Sequence, residues 1–445
     1  MLTLLDEGME ATDNEDVVCA GAAFILILTG VSRCRDRHYL TRASLPLQNS
    51  CAWKLVKEYN VDDMAWLEFT CLTRPGFIGL LRQFAPAMKR FWNEAAQPVR
   101  GRGARTGKPG GRPRSMTACD VLGLVLHYLH STSSSSVRCQ LFGISPAVQC
   151  RALCDGMHVL LLVLKVFKVS RIRWPTAADM KASADRIHAS QPMLTREYIL
   201  PLMICMYILP SSMCARRVRT LVGILTCDLL SDIFGFVDGL NLAMQEPAHP
   251  LVQNAYYNGW LSGCFSSNLF VFDSFGIIVY AYINAPGTQH DSTLACGLYD
   301  ILRHRVPEPF ALAADTAFSA AGDLASKIFK PLTDGQLRAA ADDSTVTVKK
   351  LCAMIKRHRA CVSVRQGAEW GMGGLQAVFK RLNLPLSADH QHRRRVLLLV
   401  THLWNYRVRT TGITQLGTVY SPDYLGNMNP GNPHSYYLQA REVNV

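Results

Sequence analysis

From Ile233 onward the chain alternates short β-rich apolar runs with longer stretches of helical spacing, and this alternation narrows the fold more than any other feature. Ile233–Val237 is a short apolar strand running into Asp238. Leu269–Phe272 and Ile277–Ile283 are β-rich and flank Asp273-Ser274-Phe275-Gly276, a hairpin signal. Phe310–Ala314 is another short strand, ending at Asp315, and Ile328–Leu332 reads as one more. His290–His304, Lys349–His358, Arg365–Leu382 and Arg395–Val408 have helical spacing. Strands interleaved with helices define an α/β domain, here residues 233–409.

The residues before it read as α-helical. The 445 residues are 49% hydrophobic and 18% charged, which excludes a wholly disordered chain and allows two to three domains. Residues 1–95 form an N-terminal helical region in which Phe77, Ile78, Leu80, Leu81, Phe84, Met88 and Phe91 fit one helical face. Composition then shifts to a basic, acid-free linker at 96–115, rich in Gly and Pro and carrying Arg100, Arg102, Arg105, Lys108, Arg112 and Arg114.

The net charge is +13, and residues 1–16 hold six of the 34 acids and none of the 47 bases, so the remainder is more basic still. Such a surplus favours a polyanionic partner, nucleic acid or an anionic membrane. Gly107-Lys108 lacks the glycine spacing and the following Ser or Thr of a phosphate loop. Gly111-Arg112-Pro113-Arg114 is like the core of an AT-hook, whose arginines enter a narrow minor groove. A solvated linker that sticks to any phosphate has the same composition.

Residues 116–195 form the next region. Cys119–His130 has helical spacing and Ser131–Ser136 is a polar break. The run Val137 to Leu153 then gives a short helix, a turn at Gly143, apolar Ile144, a Ser145 cap, Pro146 at the first helical position and a second helix. A helix-turn-helix needs this order so that its second helix can leave sharply into the major groove, which makes Gln149 and Arg151 candidates for facing DNA. An ordinary helical hairpin fits equally well. Cys150, Cys154 and His158 recur at i, i+4 and i+8 without a fourth zinc-like ligand and read as small side chains on a core face. His390 and His392, beside Arg393–Arg395, read as a solvated polar loop.

Fifteen cysteines with no CxxC pair point to a reducing compartment, cytosol or nucleus. The uncharged run Val17–Val31 has an acidic upstream flank, unlike a secretory signal, and reads as a buried helix. The charge-free run Tyr198–Ala215 is broken by Pro201 and Pro210, and the expectation is no membrane span.

Thirteen carboxylates lie between Ile233 and Arg409, so position must select among them. Asp238 and Asp315 end short strands, where α/β folds collect ligands. Glu369 is the one Glu after Asp315 before the tail and is expected to open an apolar helix through Trp370, Met372, Leu375, Val378, Phe379 and Leu382. Two strand-end Asp and a helical Glu suit a two-metal phosphodiesterase, because hard oxygen ligands bind Mg²⁺ and two ions ~4 Å apart serve the attacking and leaving oxygens. Solvated acids at unrelated loop ends remain the alternative on spacing alone.

Five ordered strings add to this: Phe234-Gly235-Phe236-Val237-Asp238-Gly239-Leu240-Asn241, Gln253-Asn254-Ala255-Tyr256-Tyr257-Asn258-Gly259-Trp260, Ala285-Pro286-Gly287-Thr288-Gln289-His290-Asp291-Ser292, Ala313-Ala314-Asp315-Thr316-Ala317-Phe318 and Arg365-Gln366-Gly367-Ala368-Glu369-Trp370-Gly371-Met372. Together they resemble the motifs of the Harbinger/PIF-like DDE transposases, a family that also keeps a helix-turn-helix ahead of them. The resemblance implies an RNase H-like catalytic domain with Asp238, Asp315 and Glu369 as catalytic metal ligands and His290 with Asp291 as an accessory pair. It implies Mg²⁺ or Mn²⁺, two ions, as cofactor, and DNA cut at transposon ends with the freed 3′-hydroxyls joined to target DNA. It also implies a nuclear location and a Myb-like accessory protein; a homo-oligomer is a separate expectation. The chain departs from the family pattern at 196–232, an atypical insertion abutting the Asp238 strand; a tail occupies 410–445. The insertion keeps a second reading open, a domesticated or decayed DNA-binding protein without turnover.

Overall fold

The computed structural model describes residues 45, 50–58, 62–95, 114–190, 232–343 and 345–421. The apolar runs 17–31 and 198–215, the basic linker residues Arg100, Arg102, Arg105, Lys108 and Arg112, the insertion up to 231 and the tail beyond 421 lie outside the described residues. The chain divides into two compact units, one comprising Met1–Asn60 with Ser133–Ala152 and the other Val61–Thr132 with Leu153–Val445.

In the first unit, helix α1 (Ala52–Glu58) packs Trp53 against Phe142, ring centroids 5.5 Å apart. The second unit opens with α2 (Asp63–Thr70) and α3 (Arg74–Ala95), followed by α4 (Ala118–His130). Phe77, Leu80, Phe84 and Met88 of α3 are fully buried, as their spacing predicts, whereas Ile78 is exposed. Helix α4 starts on a capping box in which Thr117 and Asp120 each bond the other's backbone N–H, and its residues from Val121 to His130 are all buried. Helix α5 (Ser135–Phe142) belongs to the first unit. Ser134 caps it, and Gly143 ends it at φ +64°, a left-handed conformation that favours glycine. Ile144 is buried and Pro146 begins α6 (Pro146–Val166), so a short helix, a glycine turn and a second helix follow one another here. Helix α6 is also the one described helix long and apolar enough to cross a membrane, and half of that stretch is already covered by protein.

Helix α7 (Ala177–Ala189) leads to a six-stranded mixed sheet in the second unit. Its elements are β1 (Ile233–Ala243), α8 (Pro250–Tyr256), β2 (Tyr257–Asn258), β3 (Gly263–Asp273) and β4 (Ile278–Pro286). There follow α9 (Asp291–Leu294), α10 (Cys296–Arg305), β5 (Ala311–Ala313) and β6 (Ile328–Phe329). The strand order is β2-β3-β1-β5-β6, with β4 also pairing β3. β3 is antiparallel to β1 and β4, and β1, β5 and β6 run parallel. Helices α11 (Asp334–Asp342), α12 (Val348–Val378), α13 (His390–Thr411) and α14 (Gln415–Val419) complete the unit, which is thus mixed α/β.

The β3–β4 turn forms where Asp273-Ser274-Phe275-Gly276 predicts it. The Asp273 carboxylate accepts from the Phe275 and Ile277 N–H groups, and Gly276 takes φ +82°. Asn405 of α13 donates to the Ile278 carbonyl and accepts from its N–H, and Trp404 donates to the Gly276 carbonyl, which clamps α13 to the start of β4.

Several sequence expectations are corrected. β1 continues six residues past its expected end at Val237, so Asp238 is a mid-strand residue. The helix expected over 290–304 breaks at Ala295. The two helices expected over 349–382 are one, and Glu369 lies in its interior and does not open it. His390 and Arg393 belong to the first turn of α13, where Arg393 is fully buried and donates to Asn284 Oδ1 and to the Ser387 and Ala388 carbonyls. Cys150, Cys154 and His158 are exposed and do not face a core.

Candidate active site

Register brings the first two acids together. Phe236 of β1 pairs with Ala313 of β5 in parallel, so Asp238, two residues further along β1, and Asp315, two residues past the end of β5, come to the same edge of the sheet. Side chains alternate across a strand, so Asp238 emerges on the face that carries Phe236. That face is covered by α12. A Cβ added at Gly367 would lie 2.9 Å from the Phe236 ring, and one at Gly371 2.8 Å from the Phe272 ring. Phe236 and Phe272 are themselves cross-strand partners. The two glycines therefore let α12 lie directly on paired aromatic rings, and the same stretch of helix brings Arg365 and Glu369 over the end of the sheet.

Arg365 is the centre of the cluster. Its Nη2 is 2.8 Å from Glu369 Oε1, and its Nη1 is 3.8 Å from Asp238 Oδ2 and 4.0 Å from Asp315 Oδ2. Three acids, from β1, the loop after β5 and α12, thus face one guanidinium whose side chain is 25% exposed. Asp238 is the most enclosed acid, with a side chain 15% exposed, against 39% for Asp315 and 51% for Glu369. Burial pushes the Asp238 carboxyl up to about 6; the Gly239 N–H and Arg365 oppose the shift, and the Asp315 and Asp291 charges add to it.

Asp291, at the start of α9, joins from the side of Gly239. A Cβ at Gly239 would collide with the Asp291 carboxylate, so glycine is what admits it. Burial raises the Asp291 pKa, the Asp315 charge raises it further, and neighbouring His290 lowers it. The loop after Asp315 is braced by its own chain: Thr316 N–H donates to Asp315 Oδ1, and Lys330 donates to the Phe318 carbonyl.

Asp238, Asp315, Glu369 and Asp291 are therefore brought together. The motifs do not single out Arg365, although its i, i+4 placement before Glu369 is the spacing of a helical ion pair. Of the DNA candidates among the described residues, Arg114 lies over the Trp92 ring at 4.9 Å and Arg151 is exposed on α6. Gln149 is buried: its carbonyl oxygen accepts from the Cys139 thiol and its amide donates to Ser135 Oγ. It ties α5 to α6, which corrects its expected place on a DNA-facing surface.

All four acids are oxygen donors, the set that hard divalent cations take. Among the described residues no three His, Cys, Asp or Glu side chains stand close enough to hold an ion as placed. The position among Asp238, Asp315 and Glu369 is held by the Arg365 guanidinium, itself a cation, so the donor chemistry fits a divalent ion while the spacing is that of a salt-bridge cluster.

Residues 237–405 match the protein family described as DDE superfamily endonuclease, a stretch under half of the chain that contains every acid of the cluster. The match supports a transposase-type nuclease domain over that stretch, in a superfamily that works with divalent metal ions. No curated protein and no solved structure matches the chain.

Proposed function

We propose that the chain is a metal-dependent DDE-type DNA endonuclease of the Harbinger/PIF kind, cutting phosphodiester bonds at transposon ends and joining the 3′-hydroxyls to target DNA. The observation that carries this reading is the convergence of Asp238, Asp315 and Glu369 on one point from β1, the β5 end and α12. The strand order β4-β3-β1-β5-β6, with β1, β5 and β6 parallel, supports an RNase H-like core. The ordered motifs from Phe234 to Met372 support the finer family.

In this reading Asp238, Asp315 and Glu369 hold Mg²⁺ or Mn²⁺, with Asp291 beside them and His290 next to it. The bound ions supply Lewis-acid stabilisation of the phosphoryl oxygens and a low-pKa nucleophile. The protein's own part is positional. The parallel register sets Asp238 against Asp315, the glycine face of α12 sets Glu369, and the buried floor of aromatic rings excludes water from one side. Arg151 and the basic linker, including Arg114, would hold the phosphate backbone. A nuclear location, a Myb-like partner and self-association belong to the same proposal; the first two rest on the sequence resemblance.

The test separates binding from cutting. Glu369→Gln is expected to bind DNA about as well as the parent and to lose metal-dependent cleavage. Cleavage at the parental rate would remove Glu369 from the site. A folded parent that binds DNA and never cuts with any divalent ion would favour the domesticated DNA-binding protein.

A further inference from the structure

We propose that Arg365 is a positioning residue that holds the three acids together before metal arrives, and that divalent ions bind by displacing its guanidinium. The inference rests on the nuclease reading and adds a role for a residue that reading does not need. Three acidic side chains from separate elements would repel one another in a partly buried cluster. Arg365 offsets this repulsion by lying 2.8 Å from Glu369, 3.8 Å from Asp238 and 4.0 Å from Asp315.

The geometry also says why the guanidinium must leave. A divalent ion binds carboxylate oxygens at ~2.0–2.6 Å, and the same oxygens are spread around a planar cation several ångströms wide. Cation and ion cannot share the cluster, because like charges at such range in a partly buried site strongly disfavour each other. Arg365 shares a helix turn with Glu369, so a side-chain rotation can release Asp238 and Asp315 without moving α12. Its side chain is 25% exposed, which leaves a route outward. No other Lys or Arg side chain forms an ion pair with Asp238, Asp315 or Glu369 among the described residues.

The experiment is Mn²⁺ binding by titration calorimetry to the full chain, wild type beside Arg365→Met and Arg365→Lys, with no DNA present. Arg365→Met is expected to bind Mn²⁺ at least about tenfold more tightly, since the competing cation is gone, and to melt at a lower temperature than wild type in chelator. Arg365→Lys, which keeps the charge, is expected to lie nearer wild type in both. Unchanged or weaker Mn²⁺ binding by Arg365→Met overturns the displacement. Should Arg365→Met fail to fold, the Arg365 Nε–H resonance of ¹⁵N-labelled wild type, assigned by its absence from Arg365→Lys, decides. It is expected to shift as Mg²⁺ saturates, and a resonance that stays put while Mg²⁺ binds overturns the proposal. Failure of both wild type and Arg365→Met to bind Mn²⁺ overturns the nuclease reading together with this one, whereas equal binding by the two overturns this one alone.

Discussion

At Asp238 the protein encloses a carboxylate that is more costly to ionise than in water. Its pKa is pushed up to about 6, first by burial, whereas an ordinary Asp titrates near 4. The folded state therefore holds this proton more tightly than the unfolded chain. Stability contributed below about pH 4 is lost as pH rises through 6, by up to about 3 kcal/mol. Asp238→Asn removes that loss, so in chelator the variant should melt above wild type at pH 8, with the gap closing by about pH 4 in calorimetry. A gap that stays constant with pH would contradict this electrostatic account. Gly239→Ala acts on the same cluster by sterics: a methyl group would meet the Asp291 carboxylate, and plasmid cleavage should fall more than DNA binding. At this scale the acids were legible in the sequence because motif order singles out Asp238, Asp315 and Glu369. Arg365 and Arg393 were not, since an arginine in a basic stretch looks solvated until Asn284 or a carboxylate from elsewhere in the chain is placed beside it.

Helix α12 shows how far an element depends on contacts the sequence does not display. Sequence spacing reads Lys349–His358 and Arg365–Leu382 as two helices, yet one helix runs unbroken from Val348 to Val378 with Gly367, Gly371, Gly373 and Gly374 in its interior. Tertiary packing overrides the local cost of about 1 kcal/mol per glycine, because two of these glycines let the helix sit on Phe236 and Phe272. Two neighbours in one helix therefore predict opposite signs. Gly373 is exposed with nothing near its missing Cβ, so Gly373→Ala should stabilise by about 0.5–1 kcal/mol. Gly371→Ala gains the same propensity but meets the Phe272 ring at 2.8 Å; overpacking of about 1–3 kcal/mol should make it destabilising. Chemical denaturation of both variants checks the pair, and a stabilised Gly371→Ala would mean that α12 does not rest on the sheet. The β3–β4 turn was legible for the converse reason: Asp273 satisfies its own loop's N–H groups, so the signal is local.

For the whole molecule, the basic linker and the acidic cluster belong to different parts of the chain. The basic linker precedes the acidic cluster by more than a hundred residues, and the two should fail independently. Neutralising Arg100, Arg102, Arg105, Lys108, Arg112 and Arg114 is expected to weaken DNA binding and to flatten the slope of log K against log salt by up to about 5, leaving Mn²⁺ affinity unchanged. An unchanged slope would place the phosphate contacts elsewhere. Strand order and register were not legible in composition or periodicity, because the β1–β5 pairing joins residues some 75 positions apart, and that pairing is what sets Asp238 beside Asp315. The most direct test of the central claim is nicking of supercoiled plasmid by the full chain with Mg²⁺ or Mn²⁺, wild type beside Asp238→Asn, with Ca²⁺ as the control. Nicking that requires Mg²⁺ or Mn²⁺ and disappears in Asp238→Asn is the expected result. Nicking that persists in Asp238→Asn, or a folded wild type that never nicks, would contradict it.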